Sequence, residues 1–313
     1  MNMIRVVQYQ AEHKRLWDEF VARAKNGVFL FQRDYMEYHA DRFRDHSLLF
    51  FAAEKLVALM PANVTDDTLV SHGGLTFGGI VSDDRMKMPL MLEVFDALCA
   101  HLQVDGIKRL IYKAVPHIYH DLPAEEDLYA LFRREAKLIR RDLSSTITQR
   151  ERIGLSKGRK WSLKQSRGHG LEFREGADFA TFMAIEAEVL EAKYSVRPAH
   201  TAAELQLLAG RFPDNIKLFA AYKDQTMLAG VIMYASKHVA HAQYISATEE
   251  GKRLGALDLI LNHLINEHYA DTPYFDFGIS TQQNGSYLNV KLLGNKESFG
   301  ARAVMYDFYE LMV

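Results

Sequence analysis

Apolar positions along the first half of the chain recur with the periods of strands and of amphipathic helices, in a definite order. The predicted elements are a strand at 3–8, helices at about 11–24 and 34–43, two strands at 46–64 around a Glu54-Lys55 turn, a strand in TLVSH, a helix at about 88–104 and a strand in IKRLIYKAV. Because strands and helices alternate, the pattern predicts an α/β (α+β) fold.

The second half repeats this order. Residues 215–234 form a predicted hairpin, in which Leu218-Phe219-Ala220-Ala221 echoes Phe50-Phe51-Ala52-Ala53. A third strand in HVAHAQYISAT, a helix over about 253–269 and a strand in TPYFDFG follow. Two copies of one order, separated by roughly 170 residues, predict a duplicated domain.

Between the two copies, KLIRRDLSSTITQ alternates like one long strand and is followed by the glycine-punctuated basic segment GLSKGRKWSLKQSRGHGLEF. We place the domain boundary here, with an N-terminal domain of residues 1–153 and a C-terminal domain of residues 154–313. The length of 313 residues supports two domains, since single cores rarely grow to this size.

Composition indicates a soluble globular protein, with 48% apolar and 25% charged residues. Cys99 is the single cysteine, so the chain forms no intramolecular disulfide, and its apolar helical setting favours a packed side chain over a nucleophile. The first residues lack the apolar core of a signal peptide, and no apolar run approaches the ~20 residues that cross a bilayer. A cytoplasmic protein is expected.

The net charge of −2 conceals a basic segment. Residues 133–167 contain twelve Lys and Arg against Glu135, Asp142 and Glu151. Such a segment attracts a polyanion or phosphate groups, although a merely solvated face is the alternative.

His241 is the candidate general base. Polar and apolar residues alternate through Val239, His241, Gln243 and Ile245, which indicates that one face of this strand borders a cleft. A neutral imidazole takes a proton from an amine near pH 7. The alternative is a hydrogen-bonded histidine of the core.

A second candidate is the start of the helix that follows this strand. A helix N-terminus presents unpaired N–H groups, and glycines let a phosphate approach the backbone. The candidate donor-binding residues are Gly251, Lys252, Arg253, Leu254, Gly255 and Ala256, with Tyr244, Ile245 and Ser246 on the strand before them. A helix start without a ligand is the alternative.

Three other motifs are set aside. Asp276-Phe277-Gly278 lacks the remaining protein-kinase segments. HGGLTFGG lacks the spacing of a dinucleotide fingerprint, so Gly74, Thr76 and Phe77 are predicted instead to line a cleft that binds the substrate. His117 and His120 have too few partners for a metal site, and we expect no metal in catalysis.

The end of the chain carries a family resemblance. A strand ends in YFDFGIS, a helix is predicted over about 284–295, and Lys296 stands three residues before Phe299-Gly300, which turns into a last strand. With Lys157-Gly158-Arg159-Lys160 and KLFAAYKDQTMLAGVIMY, residues 155–313 resemble the FemAB-like branch of the GNAT acyltransferase superfamily.

The resemblance implies two tandem GNAT-like domains, each with a mixed, mostly antiparallel sheet flanked by helices, and an acyltransferase in which an amine attacks an acyl carbonyl directly. The loop at 248–256 corresponds to the coenzyme A pyrophosphate loop, with Lys252 and Gly255 matching and Leu257 in the last small position. Backbone N–H groups at 244–247 would stabilise the oxyanion and Tyr287 would be the catalytic acid. The implied substrate-binding residues are Arg159, Lys160, Lys164, Asp276, Lys291, Lys296, Phe299 and Gly300.

The sequence is compatible with three functions. The first is an N-acyltransferase that uses an acyl-CoA thioester as donor and a primary amine of a small or cell-envelope-related acceptor. The second is a transferase that uses aminoacyl-tRNA and acts on a peptidoglycan-precursor-like acceptor, as members of the resembled family do. The third is a GNAT-like binding module without catalysis. The sequence leaves the oligomeric state open.

Overall fold

The computed structural model describes residues 4–313, except for the side chain of Tyr194. The chain divides into two compact units. Unit 1 contains the described residues up to Asp142, together with Gln283–Tyr287 and Met305–Val313, and unit 2 contains Leu143–Gln282 and Leu288–Val304. The sequence-based domains at 1–153 and 154–313 remain a prediction.

The first part of the chain forms the elements expected from its apolar pattern. They are β1 (Ile4–Gln8), α1 (Lys14–Arg23), α2 (Arg33–Met36), β2 (Leu48–Ala52), β3 (Lys55–Met60), β4 (Asn63–Thr65), β5 (Thr68–Val70), β6 (Val81–Ser82), α3 (Met88–Val104), β7 (Arg109–Lys113), α4 (Glu126–Arg133) and β8 (Lys137–Thr148). The predicted strand at 3–8 is confirmed from Ile4 onward, while Met3 lies outside the described residues. The predicted helix at 34–43 is wrong beyond α2, because a short 3₁₀ turn at Glu37–His39 follows it.

The remaining elements are α5 (Lys157–Ser166), β9 (Glu172–Gly176), α6 (Phe179–Tyr194), α7 (Ala202–Arg211), β10 (Ile216–Lys223), β11 (Thr226–Ala235), β12 (Val239–Ala247), α8 (Glu249–Leu254), α9 (Ala256–His263), β13 (Tyr274–Ile279), β14 (Thr281–Gln282), β15 (Tyr287–Leu288), α10 (Val290–Glu297) and β16 (Arg302–Met312). A π-helical turn at Leu264–His268 extends α9.

Unit 1 contains the sheet β1-β2-β3-β6 and a second group of strands in which β5 lies between β4 and β7. β5 and β7 run parallel, with Leu69 opposite Leu110. Helix α3 packs on β1, and its Val94, Phe95 and Leu98 are fully buried in the core of this unit. The predicted helix at 88–104 is confirmed at both ends.

Unit 2 contains the strand order β8-β13-β12-β11-β10-β9. All neighbouring pairs are antiparallel except β12 and β13, which run parallel. Helix α9 packs Ile260 and Leu261 against one face, which includes Phe219 and Val231. The ring of Phe182 in α6 lies against Gly230, on the opposite face, since strand side chains alternate. Strands β10 and β11 are therefore buried on both faces.

The two units share the expected order of elements. In unit 1 the hairpin β2-β3 comes before β5, and β5 pairs in parallel with β7, the strand after helix α3. In unit 2 the hairpin β10-β11 comes before β12, and β12 pairs in parallel with β13, the strand after helix α9. The expected fold class of tandem mixed sheets flanked by helices is confirmed, because this order and its parallel pairing occur twice.

Two predicted helix bounds in unit 2 are corrected. The helix expected over 253–269 is divided, because Gly255 adopts φ 71° between α8 and α9. The helix expected over 284–295 begins later, because Gln283, Asn284 and Gly285 have positive φ and form a turn. Helix α10 starts at Val290, where the Asn289 side chain accepts a hydrogen bond from the Leu292 N–H.

Among the described residues, no helix combines the length and apolar character that a membrane crossing needs.

Candidate active site

Strands β12 and β13 separate partway along their length. They pair from Val239 with Tyr274 to His241 with Asp276, while β12 continues to Ala247. A β-bulge against β11 lies just beyond the last pair and leaves Gln243 without a direct partner on β11. Bulges bend a strand and re-aim its groups, so the two features together open a fork in the sheet. His241 and Asp276 occupy its base.

The His241 side chain is held by the Asp276 carboxylate. Nδ1 of His241 lies 2.7 Å from Oδ2 of Asp276, the residue directly opposite it on β13. Asp276 is fully buried, whereas the His241 side chain keeps 12% of its surface exposed. When the carboxylate is ionised, Nδ1 carries the proton that it donates, which leaves the Nε2 lone pair available.

Hydrogen bonds keep the buried carboxylate in its charged form. Burial alone would raise the pKa of Asp276, but the hydrogen bond and charge of His241 and the hydroxyls of Ser144 and Thr146 lower it below its ordinary value. Both hydroxyls donate to Oδ1, from Ser144 at 2.6 Å and from Thr146 at 2.7 Å. Donors to the charged form favour ionisation. Asp276 is therefore a fixed anion that orients His241.

Lys296 lies next to this pair. Its ammonium donates to the carbonyl oxygens of Gly278 at 2.8 Å and Ile279 at 2.7 Å. Burial lowers the pKa of Lys296 to about 8, while the charge of Asp276 acts in the opposite direction. The expected substrate-binding residues Asp276 and Lys296 thus meet at one end of β13. Asp276 points to His241 rather than to solvent, so it cannot itself contact a substrate.

The part of β12 beyond His241 contains the residues predicted to bind the acyl donor. Beyond His241, the edge of β12 that faces β13 has no strand partner in the described part of the chain. Tyr244 and Ser246 are buried, and the Tyr244 hydroxyl lies 2.7 Å from Nδ1 of His200. The main-chain groups at 244–247 on this edge are therefore outside the pairing with β13, and their role in stabilising an oxyanion remains a prediction.

The basic side chains of the predicted phosphate-binding loop form ion pairs with nearby glutamates. Lys252 forms an ion pair with Glu249, and Arg253 lies 3.5 Å from Glu250. Gly251 packs against β11, since a Cβ there would lie 2.2 Å from the Leu228 carbonyl oxygen. Leu254 and Ala256 are buried core residues. Packing and local ion pairs therefore account for much of this loop.

Helix α5 covers the start of α9. Arg159 forms an ion pair with the buried Asp258, near the first turn of α9, and Ser162 donates to the same carboxylate. Arg159 also lies over the ring of Phe299, with its guanidinium carbon 4.1 Å from the ring centroid. The expectation that Arg159 faces phosphates is corrected, because these contacts hold its guanidinium inside the unit.

The opposite side of α5 is exposed and basic. Lys157, Lys160, Lys164 and Arg167 are exposed, and none of them has an ion pair among residues 4–313. Trp161 stands in the same helix with 66% of its surface exposed. This set is called the α5 face below. Lys160 and Lys164 belong to this face, and their contact with phosphates remains a prediction.

The turn at the end of α10 is built around close packing. Phe299 is buried with its ring 5.4 Å from that of Phe277. Gly300 has φ 98°, and a Cβ there would lie 2.0 Å from the Ile153 carbonyl oxygen. Lys291 is exposed on α10. A substrate contact at these three residues remains a prediction.

Four predicted residues belong to unit 1. Phe77 is buried among the rings of Phe31, Tyr119 and Tyr306, so its role is packing and the expectation of a substrate contact is corrected. Gly74 lies against His39, and Thr76 is exposed. Tyr287 is half exposed on β15, not at a helix start, so its role as the acid remains a prediction.

The sequence analysis did not predict the hydrogen bond from His241 to Asp276, or those from Ser144 and Thr146 to Asp276. Ser144 and Thr146 alternate on β8, which the pattern correctly predicts as a strand, but nothing local identifies its neighbour β13. The register that places Asp276 opposite His241 depends on the same non-local pairing. The run of small polar residues at 144–146 in β8 is the one sequence signal for a polar contact on this strand.

Part of the chain matches a known protein family. Residues 150–286 match the family model described as the acetyltransferase (GNAT) domain. A search of curated proteins finds no match. This part of the chain is therefore similar to a GNAT acetyltransferase domain, and the expectation of a GNAT-type acyltransferase is confirmed at this level.

Solved structures with a similar fold cover both halves of the chain. FemX aligns with a TM-score of 0.71 and 8% identity, over 99% of this chain and 97% of its own. L-PGS from Bacillus licheniformis aligns with a TM-score of 0.61 and 10% identity, over 96% and 91%. A tandem GNAT protein from the clavulanic acid biosynthesis pathway aligns with a TM-score of 0.52 and 11% identity, over 99% and 98%. The fold of the whole chain is thus similar to the folds of these three proteins.

Proposed function

We propose that this protein is an N-acyltransferase that moves an acyl or aminoacyl group from an activated ester or thioester to a primary amine. The observation that carries the proposal is the His241–Asp276 pair at the base of the fork between β12 and β13. An oriented imidazole beside unpaired main-chain groups provides a base and an oxyanion site, which are the two things that aminolysis requires.

In the proposed reaction, the amine nitrogen attacks the acyl carbonyl carbon. Nε2 of His241 accepts a proton from the amine as the new C–N bond forms, and Asp276 stabilises the resulting imidazolium. The oxyanion is stabilised by main-chain N–H groups of β12 beyond the bulge. Cleavage of the bond from carbon to the leaving oxygen or sulfur completes the transfer, and that atom takes up the proton.

The donor has two candidates. An acyl-CoA thioester fits the GNAT domain, yet Lys252 and Arg253 of the loop that would bind its pyrophosphate are paired with Glu249 and Glu250. Aminoacyl-tRNA fits the α5 face, where unpaired cations flank an exposed tryptophan. Basic grooves with aromatic side chains are typical of single-stranded nucleic-acid binding. The α5 face therefore favours aminoacyl-tRNA, with acyl-CoA as the second candidate.

The acceptor is proposed to be a primary amine of a small or cell-envelope-related molecule, such as a peptidoglycan-precursor-like peptide. This follows from the resemblance to the FemAB-like branch and from the FemX fold. Lys291 and Lys296 on α10 are proposed to bind this acceptor, and the resemblance places Lys296 beside the substrate channel.

The test is a transfer assay read by mass spectrometry of the amide product. Purified protein is incubated with acetyl-CoA, longer acyl-CoAs or charged tRNAs, each with peptide and small-molecule amines. Amide formation that needs His241 supports the proposal. Absence of amide with every donor and acceptor would overturn it, and product with acyl-CoA alone would exclude the tRNA-dependent form.

A further inference from the structure

Two histidines and one aspartate of unit 1 bring three potential metal ligands together, away from the fork. His46 lies two residues before β2, while His101 and Asp105 are separated by one turn at the end of α3. Nε2 of His46 lies 3.3 Å from Oδ2 of Asp105, and Nε2 of His101 lies 3.5 Å from the same oxygen. All three ligand atoms lie within 4.8 Å of one another.

The two Nε2 atoms are buried and lack a hydrogen bond within the described range of residues. His46 as a whole is 9% exposed. A buried polar atom without a partner is unfavourable, because it has lost its hydrogen bonds to water. Two such atoms directed at one carboxylate oxygen form an arrangement that a single cation would satisfy, because each imidazole would then donate its lone pair.

The position of Asp105 favours a cation for a second reason. Asp105 is the C-cap residue of α3, a helix of 17 residues. The C-terminus of a helix carries partial negative charge, so an isolated carboxylate there is unfavourable and a cation is favourable. A metal ion bound to Asp105 would reverse the sign of the local charge.

We propose that His46, His101 and Asp105 bind one divalent metal ion of the zinc class. Two imidazole nitrogens with one carboxylate suit Zn²⁺, Co²⁺ or Ni²⁺, whereas Mg²⁺ and Ca²⁺ prefer oxygen ligands throughout. Bonds of roughly 2.0–2.1 Å in a tetrahedron place ligand atoms about 3.3 Å apart, which agrees with the distances to Asp105. His101 and Asp105 are partly exposed, so water takes the fourth position.

The role of this site is structural and independent of acyl transfer. It joins the end of α3 to the segment that leads into β2, and both α3 and β2 contribute side chains to the core of unit 1. Bound metal is therefore expected to raise the midpoint of thermal unfolding while leaving the transfer reaction unchanged.

The test uses full-length protein, with any affinity tag removed, after treatment with EDTA and dialysis. Isothermal titration with Zn²⁺ and with Co²⁺ should give one site per chain, and Mg²⁺ should give none. The Co²⁺ form should show the intense visible absorption of tetrahedral coordination. His101→Gln and Asp105→Asn should each weaken Zn²⁺ binding by at least about tenfold.

The matched control is His263→Gln, because His263 also pairs with a carboxylate four residues away, in Glu267, but has no third potential ligand among residues 4–313. It should bind Zn²⁺ like the unchanged protein. Circular dichroism of the metal-free variants checks folding, and Co²⁺ absorption of the unchanged protein is informative even if a variant misfolds. Absence of stoichiometric binding, or equal binding by the control and both ligand variants, would overturn the proposal.

Discussion

His241 and Asp276 lie opposite each other at the last paired position of β12 and β13, with Nδ1 of the imidazole 2.7 Å from Oδ2 of the carboxylate. The hydrogen bond thus spans the two strands at the point where they separate. A histidine held at that point exposes its second nitrogen to the opening between the strands. This relationship is the basis of the catalytic predictions that follow.

Asp276→Asn should lower kcat/KM by about 10²–10⁴-fold, because it removes the correct tautomer of His241. The asparagine oxygen still accepts from Ser144 and Thr146, so its amide nitrogen faces Nδ1 of the histidine. Nδ1 must then accept, which places the proton on Nε2 and removes the base. Steady-state kinetics and a thermal melt check this, and unchanged kcat/KM in a folded variant would exclude Asp276 as a positioning residue.

Lys296→Met should change stability in a pH-dependent way. Burial lowers the pKa of Lys296 from 10.5 to about 8, so the unfolded chain binds more protons than the folded chain between these values. Stability of the unchanged protein therefore gains from this lysine as pH rises through that window, by about 3 kcal/mol in all. Lys296→Met lacks this gain, so its stability relative to the unchanged protein should fall from pH 7 to pH 10.

Urea unfolding at several pH values measures this difference. Lys291→Met, on an exposed position of the same helix, is the matched control. A difference for Lys296→Met that stays constant from pH 7 to pH 10 would contradict the burial of a charged amine beside Gly278 and Ile279.

Gly300→Ala should destabilise the protein, because two unfavourable effects add. The positive φ of 98° alone costs a residue with a Cβ about 1–3 kcal/mol, and the added carbon would also overlap the Ile153 carbonyl oxygen. Gly210→Ala is the control, because Gly210 lies in α7 with no atom near its added carbon. It should stabilise the helix by up to about 1 kcal/mol. Chemical denaturation of both variants checks the prediction, and a neutral Gly300→Ala would show that this turn is not tightly packed.

Lys160→Ala with Lys164→Ala should weaken binding of tRNA and flatten its salt dependence. Two fewer phosphate contacts lower the slope of log K against log salt concentration by about 2. Lys55→Ala, at an exposed residue of β3, should leave binding unchanged. Fluorescence anisotropy across a salt series measures the slope. An identical slope in the double variant would remove the α5 face from donor binding.

The sequence predicted the parts of the molecule that depend on local pattern. The hairpins, the helix at 88–104 and the strand that contains Asp276 follow from apolar periodicity, and the repeated order indicated two similar halves. The turn at Gln283 to Gly285 was missed, since its left-handed backbone conformation overrode an apolar pattern that suggested a helix.

The candidate site was predicted only in part, because its partners come from separate strands. His241 was found through its alternating strand, whereas the orienting role of Asp276 depends on a parallel register that no local pattern specifies. Arg159 was expected to bind phosphate, but Asp258, 99 residues away along the chain, holds it. Non-local contacts thus decide which polar residues remain available.

The most direct test of the central claim is the single-turnover rate of amide formation by the unchanged protein and by His241→Ala, measured by mass spectrometry with the donor that the transfer assay identifies. If Nε2 of His241 accepts the amine proton, the rate should fall by about 10²–10⁴-fold in the variant, and added imidazole should partly restore it. A folded His241→Ala protein that forms amide at the unchanged rate would contradict the account.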